Sequence, residues 1–251
     1  MELLQVDLPH LAPDFSGFGP GSPVEIPHGT TVLSFKYRDG VLVAGDRLAT
    51  EGHRVASRDI QKVFSTDAHS LMAISGAAGP CMEMARILSV ELEHYEKMEG
   101  EGLELEGKAN KLSQMIRQNL PAAMQGLVVV PLYAGYDQRR KTGRLWKFDI
   151  TGGRYEETDF EATGSGGLYA RESLKKSWRP DLSPEEAIRA AVLALTDAAD
   201  EDRATGGIDL ERRIFPHVKL CSEPGTDDAS DADIERLYRD ILRERSNGGA
   251  S

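Results

Sequence analysis

Two β-rich runs, TTVLSFKY at 30–37 and GVLVAGDR at 40–47, meet across Asp39-Gly40 and constrain how the chain can begin to fold. Thr, Val and Phe suit a pleated strand, and an Asp-Gly pair between two such runs signals a hairpin. What precedes them has a different character. Residues 1–29 carry Pro9, Pro13, Pro20, Pro23 and Pro27 together with Gly17, Gly19, Gly21 and Gly29. Such a stretch sustains neither a helix nor a central strand, so it reads as a poorly ordered extension. Leu11, Phe15 and Phe18 give it apolar groups with which to dock on a surface. It has no positively charged start and no continuous apolar segment, and is not expected to be a secretory signal.

Beyond the hairpin, short strands are expected at 53–57, 62–66 and 69–75. Cys81, Met84, Ala85, Leu88, Leu92 and Tyr95 recur at helical spacing, and Ala109, Leu112, Ile116 and Leu120 form a second such stripe. LVVVPLYAGY (127–136) reads as a strand buried on both faces, with GRLWKFDI (143–150) as its hairpin partner. Helices are expected at 166–178 and 183–201. The second opens with Ser183-Pro184-Glu185-Glu186, which combines an N-cap, a first-turn proline and a capping-box glutamate. A strand at 214–221 and a helix at 233–245 follow, with SNGGAS as a frayed tail and no internal repeat. Hairpins alternating with paired helices predict an α+β fold: two antiparallel sheets packed face to face, with helix layers outside.

The 251 residues suffice for a sizeable core, and their net charge of −11 disfavours nucleic acid and anionic membrane, which demand a basic patch. No apolar run approaches the roughly 20 residues of a membrane span. Cys81 and Cys221 are far apart and form neither a metal spacing nor a disulfide framework. They read as buried, inert thiols in a reducing cytoplasm.

Gly29-Thr30-Thr31 has two readings. One is a turn glycine before an ordinary strand. The other is a cleavage site at Gly29–Thr30 that leaves Thr30 with a free amine beside its own hydroxyl, nucleophile and base in one residue. An α-amine has a reference pKa of about 7.7–8.0, so a usable fraction is neutral near pH 7. Before the cut the same nitrogen is an amide without basicity. Three further pieces fit the second reading. Asp46 ends the strand that pairs with the one starting at Thr30. Lys62 stands just ahead of Val63 and Phe64, an unusual place for a cation, and beside Asp46 it would keep its charge. AISGAAG (73–79) ends a strand and opens a helix, aiming the Gly76 N–H outward as an oxyanion donor. Taken singly, Asp46 reads as a turn cap, Lys62 as a snorkelling edge residue and Gly76 as a strand terminator.

Together these stretches resemble the β-type subunit of the 20S proteasome, most closely its actinobacterial form. The resemblance runs from about Ile26 to about Arg245 through HGTTVL, GVLVAGDR, RDIQKVF, AISGAAG, ELEHYEKMEG, AAMQGL, LYAGYD, ATGSGGLYA and DAADEDRATGGIDL. It implies a four-layer αββα sandwich, removal of residues 1–29 as a propeptide and a threonine endopeptidase domain over 30–251. By motif, Thr30 is the nucleophile, Asp46 and Lys62 are its charged partners, and Gly76 supplies the oxyanion N–H. Ser165 in GSGG, with Asp202 and Thr205 in DRATGG, completes the hydrogen-bond network around the new amine. Many relatives carry serine where this chain has Thr205. Read without the resemblance, GSGG lacks the rest of a phosphate loop and DRATGG is a helix end with a glycine cap.

The resemblance also places Ala49, Ile60, Phe64, Ile74, Ala78 and Met82 around the pocket beside the nucleophile, implying preference for large apolar residues before the scissile bond. It implies no cofactor. The implied partners are a homo-heptameric β ring stacked on a second one, α subunits outside, and an ATP-dependent unfolding ring delivering protein-tagged substrates in the cytoplasm. The alternatives are a simpler bacterial two-ring threonine protease, a small-molecule amidase of the same hydrolase class, and a non-catalytic ring scaffold.

Overall fold

The computed structural model describes residues 29–51 and 54–248. The expected leader extension therefore lies outside the described residues, apart from Gly29. Along the chain the elements are β1 (Thr31–Tyr37), β2 (Gly40–Gly45), β3 (Ala49–Glu51), β4 (Arg54–Ser57), β5 (Val63–Asp67) and β6 (Ser70–Ala73). Helices α1 (Ala78–Glu99), α2 (Leu105–Gln118) and α3 (Leu120–Ala123) follow, then β7 (Leu132–Asp137), β8 (Thr142–Phe148), β9 (Arg154–Glu157) and β10 (Phe160–Gly164). The chain continues through α4 (Gly167–Ser177), α5 (Pro184–Glu201), β11 (His217–Ser222), β12 (Gly225–Asp228) and α6 (Asp231–Gly248).

Two five-stranded sheets, ordered β10-β1-β2-β11-β12 and β5-β6-β7-β8-β9, are antiparallel throughout, and β3-β4 forms a small separate ribbon. Period-two alternation explains how they stack. On β1 and β2, Val32, Val41 and Val43 point to one side and meet Val63, Leu71, Leu132, Ala134 and Leu145 of the other sheet. Leu33, Phe35, Leu42 and Ala44 point to the opposite side and pack under Ala191, Leu195, Leu174 and Ile234 of α4, α5 and α6. The second sheet is covered in the same way: Met72, Tyr133 and Trp146 lie under Cys81, Leu88, Leu112 and Ile116 of α1 and α2. Each fully buried Leu or Phe in these layers favours the fold by about 1.5–3 kcal/mol over exposure. The result is the expected αββα sandwich of α+β class. Among the described residues no helix is long and apolar enough to cross a membrane.

Several boundaries differ from the sequence expectation for physical reasons. The β1–β2 loop is Arg38-Asp39, closed by the Tyr37–Gly40 pair, so Gly40 belongs to the strand. Neither loop residue has positive φ, so the turn does not use the mirror-image geometry that Asp-Gly favours. The apolar run from 127 becomes a strand only at Leu132. Pro131 lacks an N–H, and Val128 and Val130 spend their backbone bonds on Ala77 and Ser75. Tyr95, toward the C-terminal end of α1 and past the last buried position Leu92, leaves the buried stripe and is 38% exposed. Helix α6 continues through Gly248, so of the expected tail only residues 249–251 lie outside the described residues. Strands β3, β9, β10 and β12 were not expected, because short polar segments such as RYEE and GTDD carry no apolar alternation.

Candidate active site

The start of β1, the end of β2, the start of β5 and the segment after β6 converge at one end of the sandwich. Asp46 and Lys62 each lie one residue outside a strand, where the ladder no longer claims the backbone and the side chain can turn inward. Both are buried, and the Lys62 ammonium lies 2.6 Å from Asp46 Oδ1. The same Oδ1 accepts the Thr31 N–H at 2.8 Å, while Oδ2 accepts the N–H groups of Leu48 at 2.9 Å and Gly206 at 2.8 Å. Four donors on one acid side chain require the acceptor-only carboxylate form.

Lys62 is equally committed. Its three donors go to Asp46, to the Leu48 carbonyl at 2.6 Å and to the Gly29 carbonyl at 3.2 Å. Burial pushes the Lys62 pKa below its ordinary value, while the charges of Asp46 and Asp202 pull it back up. The Thr30 hydroxyl also donates to the Gly29 carbonyl, at 2.8 Å, so Thr30 and Lys62 converge on the oxygen of the peptide bond that joins Gly29 to Thr30.

A second network holds Thr30 from the other side. Its carbonyl accepts the Ser165 N–H at 2.9 Å, with the Ser165 hydroxyl 3.4 Å away. The Gly166 N–H donates to the Thr31 hydroxyl at 2.9 Å, and the hydroxyls of Thr31 and Thr205 lie 2.6 Å apart. Thr205 gives its own proton to Asp202 Oδ2 at 2.6 Å, so Thr31 must be the donor to Thr205. Burial alone would raise the Asp202 pKa. The Ser165 and Thr205 hydroxyls, the Ala204 N–H and the Lys62 charge outweigh it and hold this carboxyl below its ordinary value. Asp202 is extended, with φ −115° and ψ 113°, so helix α5 ends on it and not on the glycine cap that DRATGG suggests in isolation.

Gly76 stands between β6 and α1 with φ +110°, a conformation that side-chain-bearing residues avoid. A Cβ there would also collide with the Val128 carbonyl oxygen. The neighbouring backbone bonds, Ala77 N–H to Val128 O and Val130 N–H to Ser75 O, pass on either side of Gly76. Among the described residues its own N–H has no recorded acceptor, and helix α1 begins two residues later. That combination suits an oxyanion.

The six residues expected around the pocket occupy β3 (Ala49), the approach to β5 (Ile60), β5 itself (Phe64), the segment after β6 (Ile74) and the first turns of α1 (Ala78, Met82). Backbone bonds Ile60 N–H to Arg47 O and Ile74 N–H to Lys62 O tie this group to the charged cluster. Ile74 is 2% exposed and packs into the sheet–helix core with Phe64 partly alongside, whereas Met82 is 37% exposed.

Sequence reasoning missed Thr31, which links the two networks through its N–H on Asp46 and its hydroxyl on Thr205 and Gly166. The available signal was alternation: Thr31 shares the face of Leu33 and Phe35, where a buried hydroxyl demands partners. Among the described residues no group of acidic, His or Cys side chains is arranged to hold a metal ion.

The profile of the family described as Proteasome subunit matches residues 26–210. A protein named Proteasome subunit beta from Streptomyces griseus is 50% identical over 246 residues, covering 98% of this chain and 88% of its own length. Its namesake from Acidimicrobium ferrooxidans is 54% identical over 224 residues, covering 88% and 82% respectively. That from Acidothermus cellulolyticus is 51% identical over 229 residues, covering 90% and 79%. Similarity of this extent, spanning every element that builds the Asp46–Lys62 cluster, means that the chain belongs to the proteasome subunit family.

Proposed function

We propose that this chain is the threonine endopeptidase subunit of a proteasome core, activated by its own cleavage of the Gly29–Thr30 bond. The observation that carries this reading is the convergence of the Thr30 hydroxyl and the Lys62 ammonium on the Gly29 carbonyl, above a buried Asp46 carboxylate. In the first reaction the Thr30 oxygen attacks the Gly29 carbonyl carbon, and the acyl group passes from nitrogen to oxygen. Water then hydrolyses the ester, releasing residues 1–29 with a Gly29 carboxylate and leaving Thr30 with a free amine. Gly29 is suited to this step because a Cβ there would meet Thr50 Oγ1 and lie 2.8 Å from the Ala204 carbonyl. No side chain fits against those groups while the bond is held in place.

Loss of Gly29 vacates one Lys62 donor, which then serves the Thr30 oxygen. The new amine takes the hydroxyl proton as that oxygen attacks a substrate carbonyl, and later returns it to the leaving amine. The Gly76 N–H bears the developing negative charge. Water completes the cycle by hydrolysing the acyl-Thr30 ester. Ser165, Thr205 and Asp202 supply hydrogen-bond partners around the amine. Ala49, Ile60, Phe64, Ile74, Ala78 and Met82 favour a large apolar residue before the scissile bond.

The assembly belonging to this reading is a seven-membered ring of identical subunits on a second such ring, with α subunits outside. Unfolded, protein-tagged substrates enter from an ATP-dependent ring in the cytoplasm. The test is Thr30→Ala, which removes the attacking oxygen and retains a strand-compatible backbone. Intact mass should show the full 251-residue chain in this variant and a chain beginning at Thr30 in the wild type, with peptide turnover only in the latter. Normal turnover by Thr30→Ala particles would place the nucleophile elsewhere.

A further inference from the structure

The peptide unit that carries the Gly76 N–H also carries the Ser75 carbonyl, so whatever grips that oxygen aims the N–H. Two donors grip it. The Val130 N–H donates at 3.0 Å from the strand side, and the Cys81 thiol donates at 3.3 Å from the first turn of α1. Cys81 has no exposed surface, and its own N–H is bonded to the Ala77 carbonyl, which fixes the thiol's position relative to the Gly76 turn. From this geometry we infer that Cys81 is a positioning residue of the peptidase reaction, orienting the Ser75–Gly76 peptide through its S–H bond to the Ser75 carbonyl.

Three features make the thiol suited to this task. Burial pushes its pKa up to about 12, so it remains a protonated donor throughout the working range. A donor on the carbonyl polarises the whole peptide unit and strengthens the N–H at its other end. And Gly76, at φ +110°, has no side chain to restrict its backbone, so with its N–H unpaired among the described residues the orientation of this peptide plane depends on the grip at the Ser75 carbonyl end. Sequence reading assigned Cys81 as an inert core thiol. Its place in the core is as expected, but its sulfur is bonded to the one carbonyl that sets the oxyanion donor.

This inference rests on the peptidase reading and on Gly76 as its oxyanion donor. The experiment compares wild type, Cys81→Ala and Cys81→Ser in processed particles. Three probes are used: a fluorogenic peptide with Tyr before the scissile bond, the matching peptide aldehyde, and the matching peptide alcohol. The aldehyde forms a tetrahedral adduct whose oxygen needs the Gly76 N–H, whereas the alcohol occupies the pocket without one. In Cys81→Ala, kcat should fall about three- to tenfold with KM nearly constant, well short of the roughly 10²–10³ lost on deleting an oxyanion donor outright. Aldehyde affinity should weaken by the same factor and alcohol affinity should hold. Cys81→Ser keeps a donor and should stay within about twofold of wild type in the aldehyde-to-alcohol ratio. That comparison also carries the test if Cys81→Ala particles fail to assemble, because a loss of ratio in Cys81→Ser beyond threefold overturns the assignment. Unchanged kcat and aldehyde affinity in Cys81→Ala would overturn it too, as would parallel weakening of aldehyde and alcohol, the mark of simple packing. In each of those cases the peptidase reading stands. Absence of Thr30-dependent turnover in the wild type would remove both.

Discussion

The Thr31 hydroxyl lies 2.6 Å from the Thr205 hydroxyl, across 174 residues of sequence, and hands its proton to it. With Thr205 bonded onward to Asp202 and Gly166 bonded back to Thr31, four groups from three separate segments form one directed chain of hydrogen bonds. Thr205 gives its proton to Asp202 and accepts from Thr31, which leaves one further acceptor site on its oxygen.

The first prediction concerns that residue. Thr205→Ser keeps the hydroxyl and should retain turnover within about threefold of wild type, since every hydrogen bond in the chain survives. Thr205→Val keeps the volume and removes the oxygen, leaving the Thr31 hydroxyl without its acceptor and Asp202 Oδ2 without its Thr205 donor, while the Ala204 N–H still serves Oδ1. It should cost about 1–3 kcal/mol in stability and at least about tenfold in kcat/KM. Denaturation midpoints and peptide kinetics on the two variants check both. Thr205→Val particles as active as wild type would remove this network from the reaction.

How much of this was legible in the sequence depends on the kind of signal each residue leaves. Strands with apolar faces, such as those holding Val41 to Ala44, announce themselves by composition, and Ser183 with Glu186 form the expected capping box. Edge strands β9, β10 and β12 leave no such trace. Their register comes from backbone pairing with a neighbour already in place. Asp46 and Lys62 stood out as charges at the ends of apolar strands. Their meeting at 2.6 Å is a product of sheet stacking, which no local pattern encodes. Gly166 and the Ser75 carbonyl went unnoticed because their roles are set by backbone groups that look alike at every position, whereas Thr31 left a signal in its hydroxyl on a buried strand face.

The second prediction is that Lys62→Ala abolishes turnover by a factor of about 10³ or more, beyond any folding effect. Burial lowers the Lys62 pKa while Asp46 and Asp202 oppose it, and the ammonium's bond to the Gly29 carbonyl places its charge beside the reacting peptide. Removing it also strands the Asp46 carboxylate, which should cost about 3–5 kcal/mol in stability. Lys62→Arg restores charge but not shape. The Asp46 and Leu48 oxygens, each 2.6 Å from the nitrogen, enclose a compact ammonium and have no room for a planar guanidinium. Thermal melts separate the two losses. Full activity in Lys62→Arg would count against a direct role.

A third prediction follows from His217, which pairs with Gly45 on β2, one residue before Asp46. Burial, then the charges of Arg47 and Lys219, lower its pKa to about 4, with Asp228 and Asp231 opposing, and among the described residues its Nδ1 has no hydrogen-bond partner. The unfolded chain, with an ordinary histidine pKa of about 6.5, binds this proton more readily than the folded one between pH 4 and 6.5. Stability therefore rises with pH across that window and is lost as pH falls from 6.5 to 4. Discounted for partial exposure, the loss is about 1–2 kcal/mol. His217→Gln should flatten the slope of stability against pH in that window, as read by urea denaturation at several pH values. An identical slope in the variant would refute the assignment.

The last prediction concerns which peptides are cut. None of Ala49, Ile60, Phe64, Ile74, Ala78 and Met82 is charged, and Ala49 and Ala78 leave space where larger residues would fill it. Met82 exposes 37% of its surface while Ile74 is buried, so of these residues Met82 offers soft, polarizable contact. An ionic side chain entering here would shed its hydration with no partner in this group, a penalty of several kcal/mol. Lys62 does not supply one, because its donors are already turned to Asp46, Leu48 and the reacting residues. Turnover of matched fluorogenic peptides should therefore rank Tyr and Leu well above Arg and Glu before the scissile bond. Ala49→Val narrows the wall by two methyl groups and should penalise Tyr more than Leu, by about 1–3 kcal/mol in kcat/KM. An Arg or Glu peptide cleaved faster than the Tyr one, or an Ala49→Val variant with unchanged ranking, would mean that the pocket is built from other residues.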